Sequence, residues 1–309
     1  MPIFPAMDAS IIVCTYNRAD SLRDTLHALQ SQVSSPECQW EVVVVDNNSK
    51  DHTRQVVEEF RARWPLLRYE FEAQQGLSHA RNLGIRAARG EVLLFTDDDV
   101  LPESDWLKTT LAGMQEYQAD ACGGYIAPIW ETPPPAWLTE RFYGFLAVRA
   151  DRSDDYPIVT SSQAPFGANM AIKRAVFDKV GLFDTSRGRK GNVLASGEDG
   201  EMFQRILAAD LKAVFLGKSR VHHKVEAFRL TKGYFRRWRF QTSRNIAQSL
   251  GMEGGRRMFN IPLYVFPQFL RAIARMLWGY MTLPRDEAFN REIIVFHFLG
   301  LMQGLYRAR

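Results

Sequence analysis

The chain has 309 residues, of which 46% are hydrophobic and 24% are charged, and this composition is that of an ordinary globular protein. The net charge of +4 is too small to indicate a nucleic-acid partner, although it suits an anionic substrate or a membrane surface. The three cysteines form no C-x-x-C pair and cannot all be paired, which favours a reducing compartment. The first eight residues lack the basic and apolar regions of a signal peptide, so we expect a cytoplasmic protein.

Short apolar runs alternate with amphipathic segments along the first part of the chain. Apolar runs bounded by turn residues predict strands at 10–14, 40–45, 67–72 and 92–95. Apolar residues at helical spacing predict helices at 19–32, 56–64, 76–90 and 106–117. Strands and helices that alternate through short links indicate an α/β fold with a mainly parallel sheet covered by helices on both faces.

Polar residues follow three of these strands. Thr15 and Asn17 follow the first strand, Asp46 follows the second, and Asp97 to Asp99 follow the fourth. In an open α/β sheet, ligands bind beyond the carboxyl ends of the strands, so these side chains should converge. Adjacent carboxylates repel one another and favour a hard divalent cation between them, although a solvated acidic turn is the alternative. Because no glycine-rich phosphate motif occurs, a metal ion is the more plausible anchor for a diphosphate.

Further short motifs occur in a fixed order after these. The full set is Thr15-Tyr16-Asn17, Asp46-Asn47-Asn48-Ser49, Ala80-Arg81-Asn82, Asp97-Asp98-Asp99, Gly167-Ala168-Asn169, Gly181-Leu182-Phe183-Asp184, Glu198-Asp199 and Val221-His222-His223. In this order the motifs resemble family 2 glycosyltransferases of the GT-A fold over about two-thirds of the chain.

The resemblance implies a nucleotide-diphosphate sugar donor, a divalent cation (Mn²⁺ or Mg²⁺) and sugar transfer with inversion at the anomeric carbon. It also implies roles by position. Asp199 would be the general base, Asp99 and His223 the metal ligands, and the nucleotide-sugar-binding residues would be Thr15, Asn17, Asp46, Arg81 and Asp97.

Several of these assignments have a structural alternative. Asp199 could be an ordinary acid in the first turn of a helix, and Asp46 could close its strand through an Asx turn. Arg81 could be an exposed helix position, and His223 could be a loop histidine without a metal.

The composition changes after residue 226, so we predict a catalytic domain at 1–226 and a basic, aromatic helical region at 227–309. Residues 260–283 and 293–306 are apolar, but the first carries prolines and arginines and the second is too short to cross a bilayer. Such helices would lie on a membrane surface, with packing on the catalytic domain or a dimer contact as alternatives. The proline-rich segment at 130–137 could line an acceptor cleft or serve as a structural linker.

We therefore expect an inverting, metal-dependent glycosyltransferase of the hexosyltransferase type. A UDP-sugar would be the donor, and a saccharide or lipid-linked molecule would be the acceptor in surface polysaccharide or glycolipid assembly. The competing functions are a nucleotidyltransferase and an inactive transferase-like scaffold. The motifs leave the donor sugar, acceptor and linkage open, because the shape of a pocket determines them.

Overall fold

The computed structural model describes residues 7–35, 37–150, 152–189, 191, 197–250 and 256–307. These residues form two compact units. The first unit contains the described residues up to Ile129 together with those of Ala147–Gly191 and Gly197–Lys224. The second contains Trp130–Leu146 and the described residues of Val225–Arg309.

The first unit alternates strands and helices, as the sequence predicts. Its strands are β1 (Met7–Thr15), β2 (Trp40–Asp46), β3 (Leu67–Phe71), β4 (Gly90–Asp97), β5 (Val100–Pro102), β6 (Ala121–Trp130), β7 (Tyr156–Pro157), β8 (Met170–Lys173) and β9 (Ala213–Val225). Its helices are α1 (Ala19–Gln30), α2 (Thr53–Arg61), α3 (Leu77–Ala87), α4 (Trp106–Glu116), α5 (Arg174–Val180) and α6 (Glu198–Ala208), with a short 3-10 helix at Ser161–Gln163.

The nine strands form one mixed sheet in the order β3-β2-β1-β4-β8-β6-β9-β5, with β7 paired to β9. The first four strands of this order are parallel to one another. Antiparallel pairs then continue the sheet from β4 to β8, from β8 to β6, and from β9 to β5 and β7. The predicted α/β architecture is confirmed. The antiparallel half of the sheet was not predicted, because its strands β5, β7 and β8 are too short to show a periodic pattern.

The core lies on both faces of the sheet. Ile11 and Val13 of β1 pack into a cluster with α1, α2 and α4, whereas Ile12 packs into the opposite cluster with α3, α5 and α6. Side chains alternate across a strand, so a strand that is buried on both faces is apolar at every position. The parallel register places Thr15 beside Asp46 and Cys14 beside Asp97, which brings the three carboxyl ends together at one edge.

The second unit is helical. It contains α7 (Lys232–Leu250), α8 (Val265–Thr282), α9 (Arg285–Arg307), a hairpin of β10 (Arg257–Met258) and β11 (Ile261–Pro262), and 3-10 helices at Glu140–Leu146 and Ala227–Leu230. Trp137 packs edge-on against Phe235 and Phe289, with ring centroids 5.2 and 4.8 Å apart. Of the helices that the structure describes, none is long and apolar enough to cross a bilayer.

We predict that Gly90→Ala destabilises the first unit. A Cβ at Gly90 would lie 2.3 Å from the carbonyl carbon of Ala9 in the neighbouring strand, so the backbone would have to move. Overpacking of this kind costs about 1–3 kcal/mol, measurable by urea unfolding.

The matched control for this substitution is Gly200→Ala in α6 of the same unit. A Cβ there has no neighbour closer than the Ser161 carbonyl oxygen at 4.0 Å. Alanine stabilises a helix by up to about 1 kcal/mol relative to glycine, so this variant should be as stable as the wild type or more so. Equal stability of the two variants would contradict the packing described for Gly90.

Candidate active site

The three carboxylates that follow β4 are withdrawn from solvent. Asp98 and Asp99 are each only 5% exposed, and Asp97 is half-buried. The pairing of β5 with β9 places Val100 opposite His223, and His223 Nε2 lies 3.3 Å from Asp99 Oδ2. The structure therefore brings together the two predicted metal ligands. His223 is a buried strand residue and not a loop residue, and its role as a metal ligand stays a prediction.

Arg18 places a positive charge against this acidic group. Its Nη1 lies 2.5 Å from Asp99 Oδ2 and 3.5 Å from Asp98 Oδ1. Arg18 was not among the predicted site residues, although it directly follows Asn17 in the loop after the first strand. The Thr15 hydroxyl donates a hydrogen bond of 2.7 Å to Asp98 Oδ2, so in this structure the threonine orients the central carboxylate. Its contact with a nucleobase stays a prediction.

The electrostatics of this group leave negative charge only partly compensated. Burial raises the pKa of Asp98 to about 7. The positive charge of Arg18 acts to lower this pKa, and repulsion from Asp99 acts to raise it. Burial also raises the pKa of Asp97, against the attraction of Arg81 and with added repulsion from Asp99. Positive charge brought to this position would therefore stabilise the ionised carboxylates.

The donor set fits a divalent cation in its chemistry. Carboxylate oxygens such as those of Asp99 are ligands that Mg²⁺ and Mn²⁺ prefer, and Mn²⁺ also accepts an imidazole such as that of His223. Within the part of the chain that the structure describes, no group of three or more His, Cys, Asp or Glu side chains is arranged to hold a metal ion. The remaining ligands would therefore come from substrate phosphates and water.

A second charged group lies at the start of α6. Asp199 Oδ1 lies 2.6 Å from Arg81 Nη1, and its Oδ2 accepts a hydrogen bond of 2.9 Å from the Gly167 backbone N–H. Arg81 is 3% exposed, so the exposed-helix alternative is wrong. Burial by itself lowers the pKa of Arg81, but Asp199 and Glu198 raise it overall, so the guanidinium stays charged. A Cβ at Gly167 would lie 1.8 Å from Arg81 Nη2, which explains the glycine.

The negative charge of Glu198 is only weakly compensated by its neighbours. Its Oε1 is 3.4 Å from Arg81 Nη1, and its buried Oε2 has no hydrogen-bond partner among the residues that the structure describes. Burial raises the pKa of Glu198 to about 7, and repulsion from Asp199 adds to the effect. Asp199 is also a first-turn acid of α6, where aligned peptide dipoles stabilise negative charge. This geometry is compatible both with the predicted role of Asp199 as a base and with its being an ordinary acid in the first turn of a helix.

Asp46 and Asn17 connect the loops that follow β1 and β2. Asp46 accepts hydrogen bonds of 2.8 Å from the Ser49 backbone N–H and from the Tyr69 hydroxyl, so the turn-closing alternative is present. Burial raises the pKa of Tyr69, and the hydrogen bond to Asp46 adds to this. Asn17 is exposed and adopts a left-handed backbone with φ 52°. Its side chain accepts a hydrogen bond of 2.7 Å from the Lys50 backbone N–H, and its own N–H donates to Ser49 Oγ. Contacts of Asp46 and Asn17 with a nucleotide stay predictions.

The two charged groups share one region of the first unit. The charges of Arg81, Asp99, His223 and Asp199 all influence the pKa of Asp97, so this carboxyl lies in the electrostatic field of both groups. A ligand that carries a diphosphate and a reacting carbon could therefore contact a cation-binding group and a carboxylate base together.

Solved structures with the same fold are glycosyltransferases. A mannosyltransferase from Pyrobaculum calidifontis in complex with GDP-Man and Mn²⁺ superposes with a TM-score of 0.63 at 21% identity, covering 97% of this chain and 88% of that one. TarS residues 1–349 from Staphylococcus aureus, in complex with UDP, gives a TM-score of 0.53 at 18% identity, covering 97% and 91%. At these identities the likeness shows the fold, which is the GT-A-like α/β fold with added C-terminal helices.

Sequence comparison identifies the family. The model described as glycosyl transferase family 2 matches residues 10–181. A Haloferax volcanii protein named glucosyl-dolichyl phosphate glucuronosyltransferase is 30% identical over 228 residues, covering 72% of this chain and 71% of the relative. Glycosyltransferase AglE of the same organism is 27% identical over 263 residues, covering 84% and 81%. The chain belongs to glycosyl transferase family 2, and it is a glycosyltransferase.

We predict that Glu198→Gln changes how stability depends on pH. Because the folded pKa is about 7 and the ordinary value is 4.5, ionisation of Glu198 costs the folded state stability as the pH rises between these values. Glutamine does not ionise, so the variant should gain thermal stability relative to the wild type across this interval. Melting temperatures measured across the same pH range test this.

The control is Glu91→Gln, at an exposed position of β4. This substitution also removes one carboxylate but leaves the buried group at the start of α6 intact, so it should lack the stability gain expected of Glu198→Gln. Equal behaviour of the two variants would show that Glu198 is not held in the environment described.

Proposed function

We propose that this glycosyltransferase is an inverting, metal-dependent enzyme that transfers a sugar from a UDP-sugar to a saccharide or lipid-linked acceptor. The observation that supports the proposal is a pair of contacts in the first unit: His223 Nε2 lies 3.3 Å from Asp99 Oδ2, and Arg81 Nη1 lies 2.6 Å from Asp199 Oδ1. A metal-anchored donor and a base must both reach the anomeric carbon, and these two groups would serve as the cation site and the base.

Asp99 and His223 would hold the cation, with Asp97 close to the donor. When bound, a divalent cation stabilises the negative charge that develops on the departing nucleoside diphosphate. Arg81 is a fixed cation beside the same region, and its planar guanidinium is suited to a phosphate oxygen as well as to Asp199. Thr15, Asn17 and Asp46 lie where a nucleoside would meet the ends of β1 and β2.

Asp199 would accept the proton of the attacking acceptor hydroxyl. Direct displacement requires the hydroxyl to approach from the face opposite to the diphosphate, which inverts the anomeric centre. Arg81 and the Gly167 N–H hold both oxygens of the ionised carboxylate in defined positions, and the start of α6 stabilises its charge. General-base catalysis of this kind contributes about 10²–10⁴-fold to the rate.

The comparisons support the choice of substrates. The UDP complex of a protein with this fold supports a UDP-sugar, although the GDP-Man complex of another makes a GDP-sugar the main competitor. The Haloferax relative is named for a dolichyl phosphate substrate, which supports a lipid-linked acceptor. We further propose that residues 1–226 form the catalytic domain, and that residues 227–309 attach it peripherally to the cytoplasmic face of a membrane for surface polysaccharide or glycolipid assembly.

The proposed donor and cation are tested by thermal shift with UDP-sugars and GDP-sugars, each with and without Mn²⁺. We expect a UDP-sugar to raise the melting temperature only when Mn²⁺ is present, and Asp99→Asn to lose this effect because a carboxylate ligand is removed. Asp178→Asn, an exposed acid of α5, is the control and should behave as wild type. Stabilisation by the donor that does not depend on metal would contradict the role of Asp99.

The proposed base is tested with Asp199→Asn. The amide retains the shape of the carboxylate but cannot take a proton, so transfer should fall about 10²–10⁴-fold while the donor-induced thermal shift persists. The anomeric configuration of the wild-type product, determined by NMR, should be inverted relative to the donor. Near wild-type transfer by the variant, or retention of configuration, would overturn this part of the proposal.

A further inference from the structure

Helix α8 presents an apolar stripe to solvent along its length. Leu270, Leu277 and Met281 are 64, 58 and 78% exposed, and Ala274 completes their spacing of four, three and four residues. Residues spaced in this way share one face of a helix. The opposite face is the packed one, where Val265, Ala272 and Gly279 are buried. Monomeric soluble proteins rarely expose so many large apolar side chains together, so this face needs a partner.

The hairpin that leads into α8 also exposes apolar side chains. Met258 pairs with Ile261, which leaves Phe259 and Asn260 as a two-residue turn, and both have positive φ (53° and 65°). A large residue is rare in this backbone conformation. Phe259 nevertheless occupies the tip and is 71% exposed. Leu263, in the link to α8, is also exposed.

The charged side chains of α8 are all basic. Arg271 and Arg275 lie beside the stripe on α8 and are exposed, and α8 contains no acidic residue. Neither arginine forms an ion pair with any residue that the structure describes. Arg256 and Arg257 are also exposed, at the base of the hairpin.

We infer that the outer face of α8 and the tip of the β10–β11 hairpin form a docking surface for an anionic lipid bilayer. A helix with an apolar face bordered by arginines lies in the plane of the interface, with apolar side chains among the acyl chains and guanidinium groups at the phosphates. A second copy of this chain fits less well, because two such faces would bring arginines together without an acidic residue on α8 to meet them. The inference gives a location and a lipid class to the proposed membrane attachment, and it does not require the proposed transferase chemistry.

Co-sedimentation of the full chain with vesicles tests this surface. The wild type should bind vesicles of phosphatidylcholine mixed with phosphatidylglycerol, bind pure phosphatidylcholine weakly, and release as salt is raised. Each arginine near an anionic surface contributes about 1 kcal/mol, so R271Q/R275Q should lower the partition coefficient about ten- to thirtyfold. The control R63Q/R86Q removes the same charge from exposed arginines of the first unit and should change binding much less.

Two variants test the apolar contacts. Phe259→Gly removes the aromatic ring while suiting the positive φ, so it should weaken vesicle binding without lowering the melting temperature. Trp278 lies on the exposed side of α8, so brominated lipids should quench part of the tryptophan emission, and Trp278→Phe should remove that part while binding persists.

The inference is overturned if the wild type does not bind the anionic vesicles, or if R271Q/R275Q binds them as well as R63Q/R86Q does. It is also overturned if light scattering shows a dimer that L270S/M281S dissociates, because the stripe would then be covered by a second copy. Since vesicle binding needs no donor or acceptor, a failed transferase assay would leave this result standing.

Discussion

The site depends on placing several carboxylates in a region from which water is largely withdrawn. Burying an ionised group is costly unless an opposite charge or hydrogen bonds accompany it. Here Arg18 and His223 accompany Asp99, and Arg81 accompanies Asp199. These partners come from the loop after β1, from β9 and from α3, so the charges are compensated only when the whole sheet is assembled.

This compensation is unequal among the buried acids. Asp98 and Glu198 have pKa values raised to about 7, which means that their environments still disfavour negative charge. Asp199 has a guanidinium, a backbone N–H and a helix start to stabilise its charge. Neighbouring acids whose environments differ commonly take different roles in an active site. Buried ion pairs of this kind add little to stability, so their value lies in fixed geometry.

Much of the sheet and part of the site could be predicted from the sequence. The strands up to β4 are apolar at successive positions because both faces are covered, and the polar residues that follow them converge because parallel strands end at one edge. The contact between His223 and Asp99 was implied only by resemblance, since it depends on β5, a strand of three residues with no periodic signal. The partners of Arg81 and Arg18 could not be derived either, because they are far apart in sequence and pair through tertiary packing.

The C-terminal region could also be predicted only in part from the sequence. Prolines and arginines within 260–283 argued correctly against a membrane span, and Pro267 falls in the first turn of α8, where proline is tolerated. Which side of the helix would be exposed depended on its packing against α9, and this could not be read from composition.

We propose that a cation bound at the end of β4 anchors the donor. The most direct test is a crystal grown with Mn²⁺ and UDP, in which anomalous scattering locates the metal independently of any interpretation of the site. We expect an anomalous peak within about 2.0–2.4 Å of an Asp99 carboxylate oxygen, in contact with the diphosphate. A peak bonded to other residues, or UDP bound in that region without manganese, would contradict it.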